Sequence, residues 1–495
     1  MRTVFCFGLL ALALGTVGLD FANAAVAQPG GSATAQSRRD AVRETTRRAW
    51  QAYVNYAEGY DELQPLTGSG INKVVVTAID SLDTLWMMDL KREFKQAVDM
   101  VRGVNFQRVS GDMSFFETGI RVLGGLLSAY ELSGEPVLLT KATEIGNILI
   151  KAFDTPTGLP VARVNARGPV ADSVNVVLAE IGSNQLEFAK LSEFTGNATY
   201  QEKSVRVFDI LSRVRTREAG LIPVHLNAQT GQLNGDYITF GALGDSYYEY
   251  LLKYAILTGQ RDGLAGRMYT TAINSMKLSL VVNSSSRPDR YFLAARSNGN
   301  LEPTMQHLTC FAPGMLSLGS QFLGDNDDFV VAQRLMQSCI AFYRESQTGL
   351  GPEAVRFDYG DSASALDTDS LDLSQSASLA RNGYVVSSPS YILRPETIES
   401  LMYLYRKTGD TIYQDHGWDA YQAIEKHTRT NLAYSSIKDV NSNNDKDNHR
   451  NDMPSFFLAE TLKYLYLLFS DSKFYPLNEY VFNTEAHPFR IQKRM

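Results

Sequence analysis

The feature that most constrains this chain is a helical unit that recurs about every 63 residues along its 495 residues. Polar residues stand at the starts of successive apolar segments, at intervals of 63, 65, 62, 89 and 64: Glu117, Glu180, Asp245, His307, Glu396 and Glu460. The longest interval contains a Ser/Asp-rich stretch, residues 360–380, that we interpret as an insertion. Apolar residues within the segments recur with the period of amphipathic helices. A repeat of this length holds two helices and their connections.

A row of helical hairpins buries its apolar faces best when the row closes into a ring. We therefore predict a single all-α domain, a closed barrel of helical hairpins with minor β-hairpins, instead of the roughly three domains that length alone suggests. The inner helices of such a ring are parallel, so that their equivalent ends meet at one mouth. Glu117, Asp245, Glu396 and Glu460 are then expected to share one cavity.

Each of these acidic residues also has a purely structural interpretation. Ser114 to Glu117 fits a capping box, and Glu396 follows a proline in a first helical turn, where a carboxylate complements the helix dipole. Aromatic and basic neighbours favour a sugar-binding cavity instead: Phe116, Arg121, Tyr247, Tyr248 and Arg394. The sequence contains no His-Glu-x-x-His and no Gly-x-Ser-x-Gly motif of other hydrolases. Because paired carboxyl groups are what glycoside hydrolysis requires, the residues alone predict a glycosidase acting on an unidentified sugar.

The N-terminal residues resemble a secretory signal peptide, which we place at residues 1–27. An apolar run, residues 4–19, follows Arg2 and precedes two Ala-x-Ala stations. An uncleaved signal anchor is the alternative. We expect the mature domain, residues 28–495, to be exported and to have no membrane segment. The formal net charge of −7 argues against nucleic acid as a partner.

If the chain is exported, its cysteines can form a disulfide and two of its asparagines can be glycosylated. Cys6 lies in the predicted signal peptide, so Cys310 and Cys339 are the remaining pair, which predicts one disulfide. A catalytic thiol is the alternative. Asn197 and Asn283 each begin an Asn-x-Ser/Thr sequence and are predicted glycosylation sites.

Several motifs in order along the chain resemble the class I α-1,2-mannosidases of glycoside hydrolase family 47. They span nearly the whole mature chain and are residues 79–86, 116–121, 178–183, 244–251, 307–311, 393–400, 459–464 and 483–488. The resemblance implies an (α/α)7 barrel that removes terminal α-1,2-linked mannose with inversion of configuration. Inverting enzymes hold their acid and base roughly 6.5–9.5 Å apart.

The resemblance also assigns catalytic roles. Glu117 and Asp245 correspond to the acid side of the reaction, where one of them donates the proton directly or through water. Glu396 corresponds to the base that activates the attacking water. Glu353 corresponds to a further essential acid.

A calcium ion is implied by the same family. Thr484 is expected to bind Ca²⁺ through its carbonyl and hydroxyl oxygens, which suits a hard cation. The resemblance places further residues around the metal-bound waters and the sugar: Arg121, Arg394, Glu399, Phe457, Glu460 and Glu485. It also supports the Cys310–Cys339 disulfide.

One departure from part of the family concerns specificity. Leu243 stands where the endoplasmic-reticulum members carry an arginine that limits them to one mannose. The resemblance therefore predicts a calcium-dependent enzyme, secreted or held in the lumen of the secretory pathway, that removes several mannoses from high-mannose N-glycans or free oligosaccharides. We expect a monomer with an acidic pH optimum. Two alternatives stay open, a mannose-binding relative that does not cleave and a helical-repeat scaffold.

Overall fold

A computed structural model describes residues 32–492 except 73, 110, 361–370 and 443. The predicted signal peptide, residues 1–27, lies outside the described residues. The described chain is mostly helical, and its α-helices are α1 (Ala33–Ala57), α2 (Val76–Asp80), α3 (Leu82–Met87), α4 (Lys91–Gly103), α5 (Phe115–Glu117), α6 (Gly124–Ser133), α7 (Pro136–Leu149), α8 (Leu178–Gly182), α9 (Gln185–Thr195), α10 (Thr199–Leu211), α11 (Asp245–Leu257), α12 (Leu264–Ser279), α13 (Ala312–Leu323), α14 (Asn326–Arg344), α15 (Leu373–Asn382), α16 (Glu396–Thr408), α17 (Ile412–His427), α18 (Asp445–Asn448) and α19 (Leu462–Leu468).

The helices form two concentric layers around a common centre. Within the described part of the chain, seven inner helices contact one another in order: α3, α6, α9, α11, α13, α16 and α19. A π-helical turn, Phe457–Thr461, leads into α19 and contacts α3, which closes the ring. Each inner helix packs against one outer helix, in the same order α4, α7, α10, α12, α14, α17 and α1. The predicted (α/α)7 barrel is confirmed.

The sequence explains why the two layers differ. The inner helix α11 is buried from Ser246 to Leu257 because neighbours surround it on all sides. The outer helix α4 buries the apolar stripe Phe94, Ala97, Val98 and Val101, spaced as on one face of a helix, together with Glu93. Ser-Gly and Thr-Gly pairs of the sequence coincide with helix ends at Gly134, Gly196 and Gly409. Gly134 (φ 74°) ends α6 in the left-handed conformation that glycine adopts without a Cβ clash.

Short antiparallel strands decorate the barrel. In the described residues they pair into seven small sheets. The strands are β1 (Glu62–Gln64), β2 (Ser69–Ile71), β3 (Met113–Ser114), β4 (Arg163–Asn165), β5 (Gly168–Pro169), β6 (Asn175–Val177), β7 (His225–Asn227), β8 (Val281–Asn283), β9 (Tyr291–Leu293), β10 (Ala295–Ser297), β11 (Asn300–Glu302), β12 (Thr304–Gln306), β13 (Ala354–Phe357), β14 (Tyr384–Ser388), β15 (Tyr480–Phe482) and β16 (Pro488–Arg490).

The C-terminal hairpin, β15–β16, fills the centre of the ring. Side chains from four inner helices contact its turn. Glu187 of α9 and Lys253 of α11 contact the amide side chain and the carbonyl of Asn483, respectively. Lys463 of α19 contacts the Ala486 carbonyl, and Asp83 of α3 contacts His487. The turn that carries Thr484 and Glu485 is therefore fixed on the barrel axis.

Three further predictions bear on the fold. The disulfide Cys310–Cys339 is present and links the start of α13 to α14. Part of the predicted insertion, residues 361–370, lies outside the described residues, and its described remainder includes most of α15, which packs on β14. Among the described helices, not one combines the length and apolar character needed to cross a bilayer.

Candidate active site

The N-terminal ends of the inner helices converge on a cavity of about 320 Å³ at the mouth of the barrel. The convergence predicted for the recurring acidic residues is therefore present. Predicted site residues that line this cavity are Glu117, Arg121, Leu243, Asp245, Arg394, Glu396, Glu399, Glu460, Thr484 and Glu485. The helix starts and the turn of the C-terminal hairpin place them there, although up to 368 positions separate them in sequence.

The capping-box interpretation of Ser114 to Glu117 is confirmed for the backbone and wrong for the Glu117 side chain. The Ser114 hydroxyl accepts a hydrogen bond from the Glu117 backbone amide at 3.2 Å, as in an N-cap. The Glu117 carboxylate does not complete a capping box, because it pairs with the Nε of Arg121 at 2.7 Å. The side chain thus belongs to the cavity, while its backbone belongs to the helix start.

Glu396 is held in its ionised form by buried neighbours. Nδ1 of His307 lies 2.7 Å from its Oε2, and Nη1 of Arg394 lies 3.6 Å from its Oε1. Burial alone would raise the pKa of Glu396, but the His307 hydrogen bond and the Arg394 charge lower it below its ordinary value. Nε2 of His307 is in turn 2.8 Å from the Tyr343 hydroxyl, which keeps the other ring nitrogen turned towards the carboxylate.

The surroundings of Asp245 raise its carboxyl pKa, whereas those of Glu396 lower it. Burial raises its pKa to about 7, and the nearby carboxylates of Glu249 and Glu396 contribute to the rise against a backbone hydrogen bond from Ser246. A carboxyl group with this pKa is protonated in mildly acidic solution and about half protonated at pH 7. Because Asp245 and Glu396 line the same cavity, one proton donor and one proton acceptor face a common space.

Glu353 lies behind the cavity and contacts it through Arg394. Its two carboxylate oxygens accept hydrogen bonds from Nε of Arg394 at 2.7 and 2.9 Å and from Nη2 at 2.8 Å. Such a bidentate pair fixes the plane of the guanidinium. The structure therefore gives Glu353 the position of a residue that orients Arg394.

A second group of carboxylates surrounds the hairpin turn. Burial raises the pKa of Glu399 to about 8, and it raises the pKa of Glu460 and Glu485 well above the ordinary value. Arg121 contacts Glu485 directly and lies 3.6 Å from Asp80. Lys253 lies 3.8 Å from Glu399. The cavity thus holds more carboxyl groups than these cations neutralise.

The donor chemistry beside Thr484 is that of an oxygen site. The described residues contain no group of three His, Cys, Asp or Glu side chains arranged to hold a metal ion. Thr484 and Glu485 line the cavity together with acidic side chains whose pKa values burial raises. Hydroxyl, carbonyl and carboxyl oxygens fit a hard cation that keeps part of its water shell, and the charge of such a cation would favour the ionised form of these carboxyl groups.

One predicted residue is misplaced. We expected Phe457 in the cavity, but its side chain is fully buried and its ring packs 5.2 Å from that of Tyr434. Phe456 lines the cavity instead and lies 5.5 Å from the Arg121 guanidinium. The wide π-helical turn that starts at Phe457 changes which side chain faces inwards.

Sequence reasoning also missed residues that support the site. The sequence marks His307 only as a repeat position within the motif 307–311, and it indicates no role for Tyr343. A helix-period pattern marks both as core, so that only their spatial contact with Glu396 identifies them. The predicted acceptors Asn197 and Asn283 are both exposed on the outside of the molecule.

Comparisons with known proteins agree with this geometry. The family model for glycosyl hydrolase family 47 matches residues 45–491. Mannosyl-oligosaccharide 1,2-alpha-mannosidase IC of Homo sapiens is 39% identical over 469 residues, which cover 92% of this chain and 71% of that protein. Mannosyl-oligosaccharide 1,2-alpha-mannosidase MNS1 of Arabidopsis thaliana is 40% identical over 473 residues, covering 93% and 80%.

A solved structure gives the same result for the fold. The alpha-1,2-mannosidase from Trichoderma reesei superimposes with a TM-score of 0.87 at 33% identity and covers 92% of this chain and 99% of that one. The residues matched by the family model include the whole range of the motifs described above, residues 79–488. The chain is a glycoside hydrolase and belongs to glycosyl hydrolase family 47.

Proposed function

We propose that this protein is an inverting α-1,2-mannosidase that removes terminal mannose from high-mannose oligosaccharides. The observation that carries the proposal is the opposite displacement of two carboxyl pKa values on one cavity, up to about 7 for Asp245 and down for Glu396. Glycoside hydrolysis with inversion needs one protonated and one ionised carboxyl group. The names of the relatives supply the sugar and the linkage.

The reaction assigns a proton movement to each group. The Asp245 carboxyl donates its proton to the glycosidic oxygen as the bond from C1 to that oxygen breaks. The Glu396 carboxylate accepts a proton from a water molecule whose oxygen bonds to C1 from the opposite face. The product is β-mannose, and Asp245 and Glu396 return to their starting states when the proton passes back through solvent.

Glu117 is the alternative donor. Its carboxylate pairs with Arg121 at the cavity wall, and a water between it and the glycosidic oxygen would carry the proton. The Arg121 pair favours an acceptor and positioning role for Glu117. We therefore assign direct protonation to Asp245 and water-mediated assistance to Glu117.

Thr484 is the residue through which the chain would hold Ca²⁺, using its hydroxyl and carbonyl oxygens. A bound Ca²⁺ would supply a hard Lewis acid that binds the oxygens of two sugar hydroxyl groups and of ordered water. Glu399, Glu460 and Glu485 would accept hydrogen bonds from those waters and hydroxyls. The buried charges that hold the hairpin turn keep Thr484 in place.

The range of cleavage follows from the rim of the cavity. Leu243 lines the cavity, and its side chain is partly exposed to it. A leucine leaves room for different mannose branches and makes no charged contact with any of them. We propose that the enzyme removes several α-1,2-linked mannoses and that Glu353 is required through its hold on Arg394.

The setting of the reaction follows from the sequence. We propose that residues 1–27 direct export and are removed, that the enzyme is secreted or kept in the lumen of the secretory pathway, and that it acts as a monomer. Asn197 and Asn283 are proposed to carry glycans, and neither lines the cavity.

The test is release of mannose from the disaccharide mannose-α-1,2-mannose and from a nine-mannose N-glycan. We expect β-mannose as the first product, seen by NMR before mutarotation. Absence of release at any pH or calcium concentration, with oligosaccharide binding retained, would support the non-cleaving relative. Full function in Glu117→Gln and Glu396→Gln would support the scaffold.

A further inference from the structure

A second and larger space adjoins the active-site cavity. It is a cleft of about 1030 Å³, and it shares two wall residues with the cavity, Glu117 and Arg121. The cavity itself, at about 320 Å³, is at the small end of the range of roughly 300–1,000 Å³ for ligand sites. A branched oligosaccharide that places one terminal sugar in the cavity must place its other sugars outside it.

The cleft belongs to one side of the barrel mouth. Its walls are the segment before the first inner helix, which includes Asn72 and Val76, and the segment from the end of α4 to α5, which includes Gly103 and Ser114. The second segment leads into α5, where Glu117 lines both the cleft and the cavity. A chain of sugars leaving the cavity past Glu117 and Arg121 therefore enters this cleft.

The cleft has the chemistry that carbohydrate recognition uses. Its apolar wall comes from Val74, Val76, Met100, Val104 and Val109, and its polar rim comes from Asn72, Asn105, Arg108 and Asp112. Apolar side chains pack against the C–H faces of sugar rings, while amide, carboxylate and guanidinium groups bond their hydroxyls.

Arg108 stands out within the rim. Its side chain is exposed, and it forms no hydrogen bond or ion pair with any residue that the structure describes. By contrast, Arg121 and Arg394 in the cavity are both held by carboxylates. Five guanidinium N–H donors remain available at the cleft, which suits a ligand rich in hydroxyl oxygens.

We infer that this cleft binds the mannose residues that follow the first sugar beyond the cleaved linkage, with Arg108 as a specificity-determining contact. The inference rests on the proposed function and deepens it. On this inference, the remaining branches of the oligosaccharide bind on the side of the mouth formed by α4 and α5. The cleft therefore determines how well large oligosaccharides bind, and it does not take part in bond cleavage.

The test compares two substrates in two variants. Arg108→Ala removes the hydrogen-bonding group, and Gly103→Trp fills the cleft. Gly103 suits this purpose because an added Cβ meets no atom within 4 Å and because its backbone does not require glycine. We expect either variant to lose about tenfold or more in kcat/KM on a nine-mannose N-glycan. Hydrolysis of the disaccharide mannose-α-1,2-mannose should stay unchanged.

Arg92→Ala is the matched control, since Arg92 lies at the other end of α4 with a side chain that is 71% exposed. It should leave both substrates unaffected. Equal loss on both substrates, or no loss on either in both variants, would overturn the inference. Should the wild-type protein fail to hydrolyse the disaccharide, the proposed function fails instead. Calorimetric binding of the nine-mannose N-glycan to wild type and to Gly103→Trp then still decides whether the cleft is its site.

Discussion

The imidazole of His307 joins Glu396 to Tyr343, with Nδ1 2.7 Å from the carboxylate and Nε2 2.8 Å from the phenol oxygen. His307 is almost fully buried, so that it connects the proposed base to the surrounding core. A neutral imidazole satisfies both contacts when Nδ1 donates to the carboxylate and the tyrosine hydroxyl donates to Nε2. The carboxylate is the form that this arrangement favours.

Replacing His307 should therefore shift the pH dependence of the reaction. The His307 hydrogen bond lowers the pKa of Glu396, so that His307→Leu should raise it. The acidic limb of kcat/KM against pH should then move to higher pH, because the base must lose its proton before it acts. His307→Asn, which can still donate one hydrogen bond to the carboxylate, is the matched variant and should shift the limb less. An unmoved limb in His307→Leu would contradict the assignment of Glu396 as base.

Asp245→Asn should separate activity from stability. We expect a loss of roughly 10²–10⁴-fold in kcat, the range for removal of a general acid. The folded-state pKa of about 7 lies above the ordinary value of 3.8, so the folded protein keeps a proton that the unfolded chain has lost. Wild-type stability must then fall as pH rises between these two values.

The asparagine variant lacks this titration. Its melting temperature should be similar to that of wild type near pH 4 and higher above pH 7. Thermal unfolding followed by circular dichroism at both pH values measures the difference. The proton on Asp245 should also limit the wild-type rate on the alkaline side. A wild-type rate that still climbs above pH 8 would contradict Asp245 as the donor.

Removal of the disulfide should cost stability and leave the chemistry intact. Cys310 and Cys339 are 29 positions apart, and the chain-entropy model assigns a loop of that length about 3–4 kcal/mol. We expect Cys310→Ala/Cys339→Ala to unfold at lower denaturant concentration with nearly unchanged kcat at low temperature. A large loss of kcat in the folded variant would instead support the alternative hypothesis of a catalytic cysteine.

Leu243→Arg should narrow the range of products. Leu243 sits on the cavity rim with a φ of 82°, and the position is 39% exposed, so that a longer side chain has room to extend over the opening. A guanidinium there should bond one mannose branch and obstruct the others. Time courses on a nine-mannose N-glycan, resolved by chromatography, should accumulate the product lacking one mannose. Leu243→Met, of similar volume, should behave like wild type, and unrestricted trimming by Leu243→Arg would contradict the proposed role.

The sequence was informative about the fold because the repeat is carried by local signals. Helix starts, Ser/Thr-Gly ends and the apolar period are each readable within a few residues, and ring closure follows from the need to bury both faces of a hairpin. The same logic brought Glu117, Asp245, Glu396 and Glu460 together. Here each residue is specified by its own position in a helix.

The rest of the site depends on contacts that no local pattern carries. Phe456 and Phe457 differ only by one position, and the π-helical turn decides which of them faces the cavity. His307 and Tyr343 belong to the core pattern until a carboxylate is placed next to them. The function of Thr484 depends on four inner helices that hold its hairpin, and such a dependence is visible only in three dimensions.

Thr484 is the residue on which the calcium proposal can be decided directly. It lines the cavity beside Glu485, where carboxyl groups outnumber the two arginines of the lining and a bound cation would favour their ionised form. Chelator-treated protein should lose turnover, and isothermal titration with Ca²⁺ should show one site that restores it. Thr484→Val removes the hydroxyl ligand and should weaken that binding by about tenfold or more. Thr140→Val, an exposed threonine of α7 remote from the cavity, should bind Ca²⁺ like wild type. Full turnover by demonstrably metal-free enzyme would contradict the assignment, because the proposed function of the turn is to present these oxygens to a cation.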